Sequence, residues 1–266
     1  MLKIQTLSSG SKGNITYISS GETSILVDVG LCLKSTLKRL ADAGIDPKSI
    51  SAILVTHEHS DHISGIANFI KKYKPALFVH KKARKHFLHK IGEVNAENVF
   101  EFNEPFTIGD ILIDFFDVPH DSKFCFGYTF QNGDSKVGVL TDCGHFRDEF
   151  YDKLFGCYVL VIESNHCPDK LARNMNYPIS LKRRITGLYG HLSNAVCADA
   201  IAKLFGLGVR QFVLAHLSAE NNSPSLAYSQ IKLSLAAKNL IIEGDDADLF
   251  IDIAPQHEIG TLFEIE

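Results

Sequence analysis

The chain has 266 residues, of which 45% are hydrophobic and 22% are charged, a balance that is ordinary for a folded globular protein. The net charge of −4 excludes a protein that is basic over its whole surface. The longest unbroken apolar run, 157–162, is far too short to cross a bilayer, so we expect no membrane partner.

Short β-rich runs alternate with helical patterns along the chain. The β-rich runs are 25–30, 52–56, 76–80, 111–118, 137–142, 158–163, 211–216 and 249–254. The helical patterns are 33–43, 62–73, 81–91, 146–155, 194–205 and 224–238. This alternation predicts an α/β protein, and Asn132-Gly133 predicts a hairpin turn, so part of the sheet should be antiparallel. We find no linker or repeat and therefore expect one domain, 1–266.

The N-terminal segment and the cysteines both indicate a cytoplasmic protein. Residues 1–20 lack a basic region followed by an apolar one, so we expect no signal peptide. The six cysteines are scattered and form no CxxC pair, which indicates reduced and mostly buried thiols. They are Cys32, Cys125, Cys143, Cys157, Cys167 and Cys197.

Polar residues with metal-binding side chains follow several of the predicted strands. These residues are Asp28, His57, His120, Asp142 and His216. Sites in α/β folds are built at the C-terminal ends of strands, where the loops converge. A single shared pocket would therefore explain why all five residues occupy the same kind of position.

The stretch VTHEHSDH concentrates such side chains after one strand. His57 and His59 face the same side of an extended segment, because side chains alternate with a period of two. Asp61 and His62 begin the next predicted helix, with Ser60 as its N-cap, so the ligands can surround one point from two sides. Imidazoles with a carboxylate suit zinc, iron or manganese, and the stretch therefore predicts a metal site.

THEHSDH, with LVDVG upstream and VPHD, LTDCG and LAHLS downstream, closely resembles the five motifs of the metallo-β-lactamase superfamily. The resemblance runs from about Ile25 to Ser218 and implies a four-layer αβ/βα sandwich, with two mixed β-sheets flanked by helices and two metal ions at one edge. The implied ligands are His57, His59 and His120 for one ion, Asp61, His62 and His216 for the other, and Asp142 as the bridge. Asp28 would orient the ligands.

Such a centre suits a hydrolase that uses two divalent ions, of which zinc is the first expectation and manganese or iron the others. A water that bridges the ions is deprotonated near neutral pH and attacks a phosphoryl or carbonyl centre, and Asp61 acts as a catalytic residue by orienting that hydroxide. Asp142, rather than Cys, at the bridging position argues against a secreted antibiotic-degrading lactamase. His59, where the flavin–diiron oxidoreductases have Glu, argues against redox chemistry.

The element YGHLSN, 189–194, resembles the GHxS/T element of the phosphodiesterase members, including transfer-RNA 3′-processing nucleases. The resemblance implies that His191 is catalytic and donates a proton or a hydrogen bond beside the scissile phosphate. Together with LSSGSKGNITYI and ESNHCPD, this element most resembles the YycJ/WalJ subgroup, which is linked to DNA exonuclease activity. We expect four residues to line the substrate cleft, namely Ser11, Asn14, Asn165 and Ser193.

The leading interpretation is a metal-dependent phosphodiesterase, an exonuclease whose substrate is DNA rather than RNA. One alternative is a thioester or lactone hydrolase similar to glyoxalase II, and another is a non-catalytic nucleic-acid-binding regulator that keeps the metal for stability. The segment between Asp142 and His216 is too short for an inserted domain. The substrate must therefore be gripped by the core itself or by the partner in a homodimer.

Two groups of basic residues are candidates for holding a nucleic-acid backbone, provided that they face the metal site, and are otherwise solvated helix faces. The first group is Lys71, Lys72, Lys74, Lys81, Lys82, Arg84, Lys85 and Lys90, and the second is Lys170, Arg173, Lys182, Arg183 and Arg184. His166 is either a pocket residue or a surface histidine. Five further histidines match no motif and are expected to be structural, namely His80, His86, His89, His145 and His257.

Overall fold

Fourteen strands form two mixed β-sheets in a computed structural model that describes residues 1–266. The strands are β1 (Leu2–Ser8), β2 (Ile15–Ser19), β3 (Ser24–Val27), β4 (Ala52–Leu54), β5 (Ala76–His80), β6 (Val99–Phe102), β7 (Phe106–Ile108), β8 (Ile111–Asp117), β9 (Phe126–Asn132), β10 (Ser135–Leu140), β11 (Val159–Glu163), β12 (Gln211–Ala215), β13 (Phe250–Ile253) and β14 (Leu262–Ile265). The first sheet has the order β14-β1-β2-β3-β4-β5-β6, and the second has the order β13-β12-β11-β10-β9-β8-β7.

Each sheet is antiparallel in one half and parallel in the other. In the first sheet β14, β1, β2 and β3 pair antiparallel, and β3, β4, β5 and β6 pair parallel. In the second sheet β7 to β10 pair antiparallel, and β10 to β13 pair parallel. The parallel strands all follow longer connections, and their C-terminal ends provide the positions at which loops converge.

Nine α-helices flank the sheets, which confirms the predicted sandwich of two mixed sheets between helices. They are α1 (Leu33–Asp42), α2 (Ser60–Ile63), α3 (Ile66–Tyr73), α4 (Arg84–Ile91), α5 (Glu149–Leu154), α6 (Pro168–Arg173), α7 (Ile179–Thr186), α8 (Asn194–Gly206) and α9 (Pro224–Ala236). Short 3₁₀ turns occur at Pro47–Ser49 and Ala96–Asn98. None of the helices is long and apolar enough to span a membrane.

The core follows from the alternation of side chains along the buried strands. In β11, Val159 and Val161 pack between the two sheets, whereas Leu160 and Ile162 face the helices on the outer side of the second sheet. Parallel strands with helices on one face and a second sheet on the other are buried on both sides, and they therefore read as continuous apolar runs. This double burial fixes the strand ends that carry the polar residues.

The predicted helix at 62–73 is divided and begins earlier than expected. Helix α2 begins at Ser60 after an extended His59, which occupies the N-cap position without a side-chain cap, so the prediction that Ser60 is the N-cap is wrong. The helix breaks at Gly65, whose N–H donates to the carbonyl of Val29. The carbonyl of Asp61, which would accept that N–H in a continuous helix, instead accepts from the N–H of Asn14.

Three further differences from the prediction are local. The hairpin between β9 and β10 turns at Gly133-Asp134, one residue later than predicted, since Ser135 pairs with Asn132 and Gly133 takes the positive φ of 58°. The edge strands β6, β7 and β14 are too short and too polar to give a clear period of two. Helices α6 and α7 lie within a stretch that is largely exposed, so they leave little apolar periodicity.

A close backbone approach at Gly30 holds residues 57–63, which we call the metal-binding loop after the predicted ligands that they contain, against the first sheet. The N–H of Gly30 donates to the carbonyl of Asn14, and the N–H of Val29 donates to the carbonyl of His62. A Cβ at position 30 would lie 1.7 Å from the carbonyl oxygen of Asp61. No side chain fits there, so glycine is required where the chain passes between β3 and α2.

We expect Gly30→Ala to destabilise the protein, because the added methyl group must displace backbone atoms. The expected loss is about 3 kcal/mol, at the upper end of the range for overpacked positions, and it corresponds to a fall in Tm of roughly 6–12 °C. Thermal unfolding followed by circular dichroism measures this loss. Gly206→Ala is the matched control, because a Cβ at the end of α8 meets no atom within 4 Å. Equal melting temperatures for the two variants would contradict the close approach.

Candidate metal centre

The five polar residues predicted at strand ends all lie at one edge of the two sheets. Asp28 follows β3 and His57 follows β4 in the first sheet. Asp142 follows β10, His216 follows β12 and His120 follows β8 in the second sheet. The structure therefore brings together residues from both sheets, as the single-pocket hypothesis requires.

Three of these residues have a left-handed backbone conformation. The φ angles are 62° at Asp28, 55° at Asp142 and 55° at His216. This region costs about 1–3 kcal/mol for residues other than glycine, and such strain is kept only where surrounding contacts fix the backbone. The N–H of Asp28 donates to the carbonyl of Leu54 at 2.9 Å, and the N–H of His216 donates to Ser9 Oγ at 2.8 Å.

The side chains form four overlapping groups of possible metal-binding atoms, and within each group these atoms lie within 4.8 Å of one another. Two groups are His57, His59 and His120, and Asp61, His62 and His216, which match the ligand sets that the resemblance implied for the two ions. Asp142 lies between them, because it forms a third group with His57 and His62 and a fourth with Glu163, His191 and His216. The fourth group adds Glu163 and His191, which the resemblance did not place among the ligands, and the ligand assignment stays a prediction.

Two buried atoms that could bind a metal ion have no hydrogen-bond partner, namely His57 Nε2 and Asp142 Oδ2. Asp142 Oδ2 lies 3.1 Å from His62 Nε2 without hydrogen-bond geometry, and Asp142 Oδ1 lies 3.7 Å from His120 Nε2. Leaving a polar atom buried and unpaired costs about 1–3 kcal/mol, and more for a charged group. Nitrogen and oxygen donors directed at shared space fit divalent cations of the zinc, manganese or iron type.

Hydrogen bonds on the far side of the rings orient several histidines. His62 Nδ1 donates to Asp28 Oδ2 at 2.7 Å, and Asp28 is itself held by the N–H and hydroxyl of Thr56. His120 Nδ1 donates to the carbonyl of Gly190 at 3.1 Å. In both rings Nδ1 is thereby occupied and Nε2 faces the centre, which is the arrangement that metal-binding histidines commonly have.

Glu163 completes this set of orienting contacts, and sequence reasoning missed it. Its Oε1 accepts from His216 Nδ1 at 2.9 Å and from His191 Nδ1 at 2.8 Å. Its Oε2 accepts from the N–H groups of Cys143 and Leu192, and the side chain is fully buried. Glu163 ends the apolar run at 158–163, so the rule that selected the other strand-end residues would have selected it.

The pKa values of Asp61 and Glu163 are lowered although both carboxylates are largely buried. Burial alone would raise the pKa of Asp61, but hydrogen bonds from His216 and His62 hold that pKa below its ordinary value. Burial would also raise the pKa of Glu163. The charges and hydrogen bonds of His191 and His216 instead lower that pKa to about 2. Burial lowers the pKa of His216, but Asp142, Asp61 and Glu163 raise it to about 10. Concentrated negative charge of this kind is what a cation site requires.

Of the four residues predicted to line the substrate cleft, Asn14 and Asn165 contact candidate metal ligands, and the contact of all four with substrate stays a prediction. Asn14 is buried, and its Nδ2 lies 3.0 Å from His62 Nε2 and 3.4 Å from Asp61 Oδ2. Asn165 is buried and donates to the carbonyl of His216. Ser193 is the N-cap of α8 and accepts from the N–H of Val196, and Ser11 is exposed.

The remaining histidines divide into buried and peripheral residues. His166 is only 2% exposed, so the alternative of a surface histidine is wrong, and burial lowers its pKa to about 4. His145 donates to the carbonyl of Leu188, and His86 contacts Glu58 at 2.9 Å. His80 is buried and stacks on Phe126.

The second basic group contacts a residue adjacent to a donor histidine. In the second group, Arg184 pairs with Asp121, and Asp121 Oδ1 lies 3.4 Å from His120 Nε2. Near the first group, α4 contacts the metal-binding loop through His86 and Glu58. Lys71 and Lys74 lie elsewhere, around a separate cavity next to α3. The second basic group therefore borders the centre through Arg184.

The comparisons with known proteins all indicate the same protein family. Residues 23–217 match the model of the β-lactamase superfamily domain. The chain is 36% identical over 239 residues to "Exodeoxyribonuclease YycJ" of Bacillus anthracis, covering 89% of this chain and 90% of that protein. It is 35% identical over 243 residues to "Exodeoxyribonuclease WalJ" of Streptococcus pneumoniae serotype 2, covering 90% of each.

Solved structures share the fold at low sequence identity. The metallo-β-lactamase fold protein YhfI of Bacillus subtilis has a TM-score of 0.73 and 17% identity, and the match covers 98% of each chain. Zn²⁺-bound PqqB of Methylobacterium extorquens has a TM-score of 0.69 and 14% identity, covering 99% of this chain and 100% of that chain. These comparisons confirm the predicted fold and the predicted recognition of the superfamily and of its YycJ/WalJ subgroup.

We expect Glu163→Gln to weaken metal binding, because the charged acceptor of His216 Nδ1 is lost while the volume is kept. Residues that orient a ligand in this way typically contribute about 10–100-fold to metal affinity. Competition with a chromophoric chelator measures the zinc affinity of each purified variant. Asp114→Asn is the matched control, because it makes the same chemical change on β8, where Asp114 pairs with Lys153. An affinity equal to that of the control would show that Glu163 does not position the ligand.

Proposed function

Since the chain belongs to the β-lactamase superfamily, we propose that this metal-dependent hydrolase is an exodeoxyribonuclease that degrades DNA from an end. The position of His191 carries the proposal, because this histidine stands beside the donor atoms and is held there by Glu163. The activity named for the relatives, which align over about nine tenths of the chain, supports DNA as the substrate.

The residues that would hold two divalent ions are those whose donor atoms converge. His57, His59 and His120 would hold one ion, Asp61, His62 and His216 the other, and Asp142 would contact both. When bound, such ions supply Lewis acidity and lower the pKa of water towards neutrality. Zinc is our first choice, because three imidazoles in one group favour a borderline cation. Asp61, whose side chain is 22% exposed, would orient an attacking water.

His191 would deliver the proton that the leaving group needs. Its ring centroid lies 5.1 Å from that of His120 and 5.3 Å from that of His216. Burial lowers the pKa of His191, but the charge and hydrogen bond of Glu163 raise it above its ordinary value. A raised pKa favours the protonated imidazole, and with Nδ1 bound to Glu163 the Nε2 atom of this partly exposed side chain is left to donate. This arrangement suits a leaving oxygen on phosphorus.

A thioester hydrolase would have no comparable use for a protonated imidazole, because a thiolate leaves without help. Arg184, at the edge of the centre, also supports a polyanionic substrate. Six free cysteines, five of them buried, agree with a reducing compartment, and the proposal therefore includes a cytoplasmic location.

We expect His191→Ala to lower the kcat for DNA hydrolysis by about 10²–10⁴-fold, the usual contribution of a general acid, while its metal content stays unchanged. His57→Ala should lose both metal and activity. Hydrolysis of end-labelled single- and double-stranded DNA and RNA by metal-loaded protein measures the effect and shows which strand shortens, and from which end.

His89→Ala is the control, because His89 is exposed on α4 and contacts none of the donor atoms. Wild-type DNA hydrolysis by His191→Ala, or efficient turnover of lactoylglutathione by both proteins, would overturn the proposal in favour of a thioester hydrolase. Tight DNA binding without any strand shortening would instead identify a non-catalytic binder.

A further inference from the structure

A cavity of about 630 Å³ lies between the C-terminal end of β5, strand β8 and the segment that carries helix α5. We call it the basic cavity, because four of the ten residues that line it are cations and only two are acids. The cations are Lys81, Lys82, Arg147 and Lys153, and the acids are Asp117 and Glu149. A cavity of this volume has room for a ligand.

The positive charge of the basic cavity is only partly neutralised within the protein. Lys153 already pairs with an acid outside the cavity, on β8. Arg147 pairs with Glu149 at 3.1 Å, but the side chain of Glu149 is 62% exposed, and ion pairs in solvent contribute little to stability. Lys81 and Lys82 are exposed and make no ion pair. Two lysines and a weakly held arginine are therefore available to an anion.

His80 adds a buried hydrogen-bond donor to the wall of the basic cavity. The residue is only 4% exposed and stacks on Phe126. Burial and the charge of Lys82 lower the pKa of His80, which favours a neutral ring. Its Nδ1 accepts from the N–H of Lys82 at 3.2 Å, so the proton lies on Nε2, and the ring makes no other hydrogen bond. A buried donor is rarely left unpaired, so Nε2 requires an acceptor from outside the protein.

The basic cavity lies at the edge of the sheets that carries the candidate metal centre. His80 ends β5, which pairs in parallel with β4, and His57 follows β4. Neighbouring parallel strands lie about 4.8 Å apart and end at the same edge of a sheet. The donor of the cavity and a candidate metal ligand therefore follow adjacent strands.

The second sheet connects the basic cavity with the centre through short segments. Asp117 ends β8 three residues before His120, and Arg147 lies five residues after Asp142. Segments of three and five residues span at most about 11 Å and 18 Å. Phosphates of one DNA strand repeat about every 3.4 Å along the helix axis, so the cavity lies within about five nucleotides of the centre.

The donor groups of the basic cavity suit a phosphate group. Arginine and lysine form charge-assisted hydrogen bonds to phosphate oxygens, and a neutral N–H adds a directed contact. A free nucleotide and the DNA backbone both offer such a group. The short distance to the centre favours the backbone, because a DNA substrate bound at the centre carries further phosphates over this distance.

We propose that the basic cavity binds a backbone phosphate of the DNA substrate, within about five nucleotides of the scissile phosphate. This inference rests on the proposed function, because it adds a second contact for the same substrate. Lys82 and Arg147 contact the phosphate oxygens, and His80 donates to one of them from Nε2. These residues position the substrate and take no part in bond cleavage.

The double variant Lys82→Gln/Arg147→Gln tests the site, because it removes two charges and keeps long polar side chains. Each lost cation should raise the KM for a DNA oligonucleotide by about tenfold, with a much smaller change in kcat. The slope of log KM against log salt should decrease by about 0.7–0.9, the value for one contacted phosphate. The rise in KM should be absent with bis(p-nitrophenyl) phosphate, which is too small to extend from the centre to the cavity.

Two further variants separate a local contact from a general effect of charge. Lys48→Gln is the matched control, because Lys48 is exposed, makes no ion pair and precedes β4, at the opposite end of that strand from His57. His80→Phe keeps a ring against Phe126 and removes the donor, so it should raise the KM without changing the salt slope. The melting temperature shows whether His80→Phe keeps its fold, and the double variant decides the inference where it does not.

An unchanged KM in the double variant, or an equal rise in Lys48→Gln, would overturn the inference. Calorimetric binding of a deoxynucleoside monophosphate that the double variant loses, with an unchanged KM for DNA, would also overturn it and assign the cavity to a free nucleotide. If the wild type degrades no DNA at all, the proposed function fails by itself. The dissociation constant for a fluorescent DNA oligonucleotide then decides the inference, which equal values for wild type and the double variant would overturn.

Discussion

The site depends on one constraint, which is that the parallel halves of two packed sheets end at the same edge. Asp28 and His57 leave the first sheet there, and Asp142 and His216 leave the second. The strands behind them are buried on both faces, so their ends have little freedom to move. The donor atoms are consequently positioned by the core of the protein and not by the loops alone, which is what accurate metal geometry requires.

Residues in the left-handed backbone conformation show the free-energy cost of bringing these strand ends together. Asp28, Asp142 and His216 each adopt a backbone conformation that residues other than glycine avoid, and each does so directly after a parallel strand. Close approaches at Gly30 and Gly144 add to the constraint, because the loops pass one another with no room for a side chain. The packing of the two sheets therefore stabilises the strained backbone of these residues at the candidate site.

Glu163 joins two functions that the sequence presents as separate. Its single carboxylate holds His216, a candidate metal ligand, and His191, a candidate proton donor. Any movement of one imidazole therefore changes the field and the hydrogen bond that the other one experiences. Effects of substitutions at these positions should be non-additive, since contacts that share one buried acceptor are coupled.

Much of the fold and of the site could be predicted because the same physical signal encodes both. A buried strand gives a run of apolar residues, and a site residue is the first polar side chain after that run, as at Asp142 and His216. The same signal is present at Glu163, which ends the apolar run at 158–163 but belongs to none of the five motifs. The break at Gly65 could not be predicted, because the carbonyl that the helix would need is occupied by Asn14, which is distant in sequence.

The segment from 170 to 190 escaped prediction for a different reason. Its apolar residues contribute little to either core, so they follow no helical or strand period. Its structure is fixed instead by backbone contacts to Gly144, His120 and Ile185, which depend on the whole fold. A loop that is rigid before substrate arrives loses little conformational entropy on binding. The exposed apolar side chains of this loop, Leu188 and Tyr189, therefore belong to a backbone that the whole fold holds in place and that no local sequence pattern encodes.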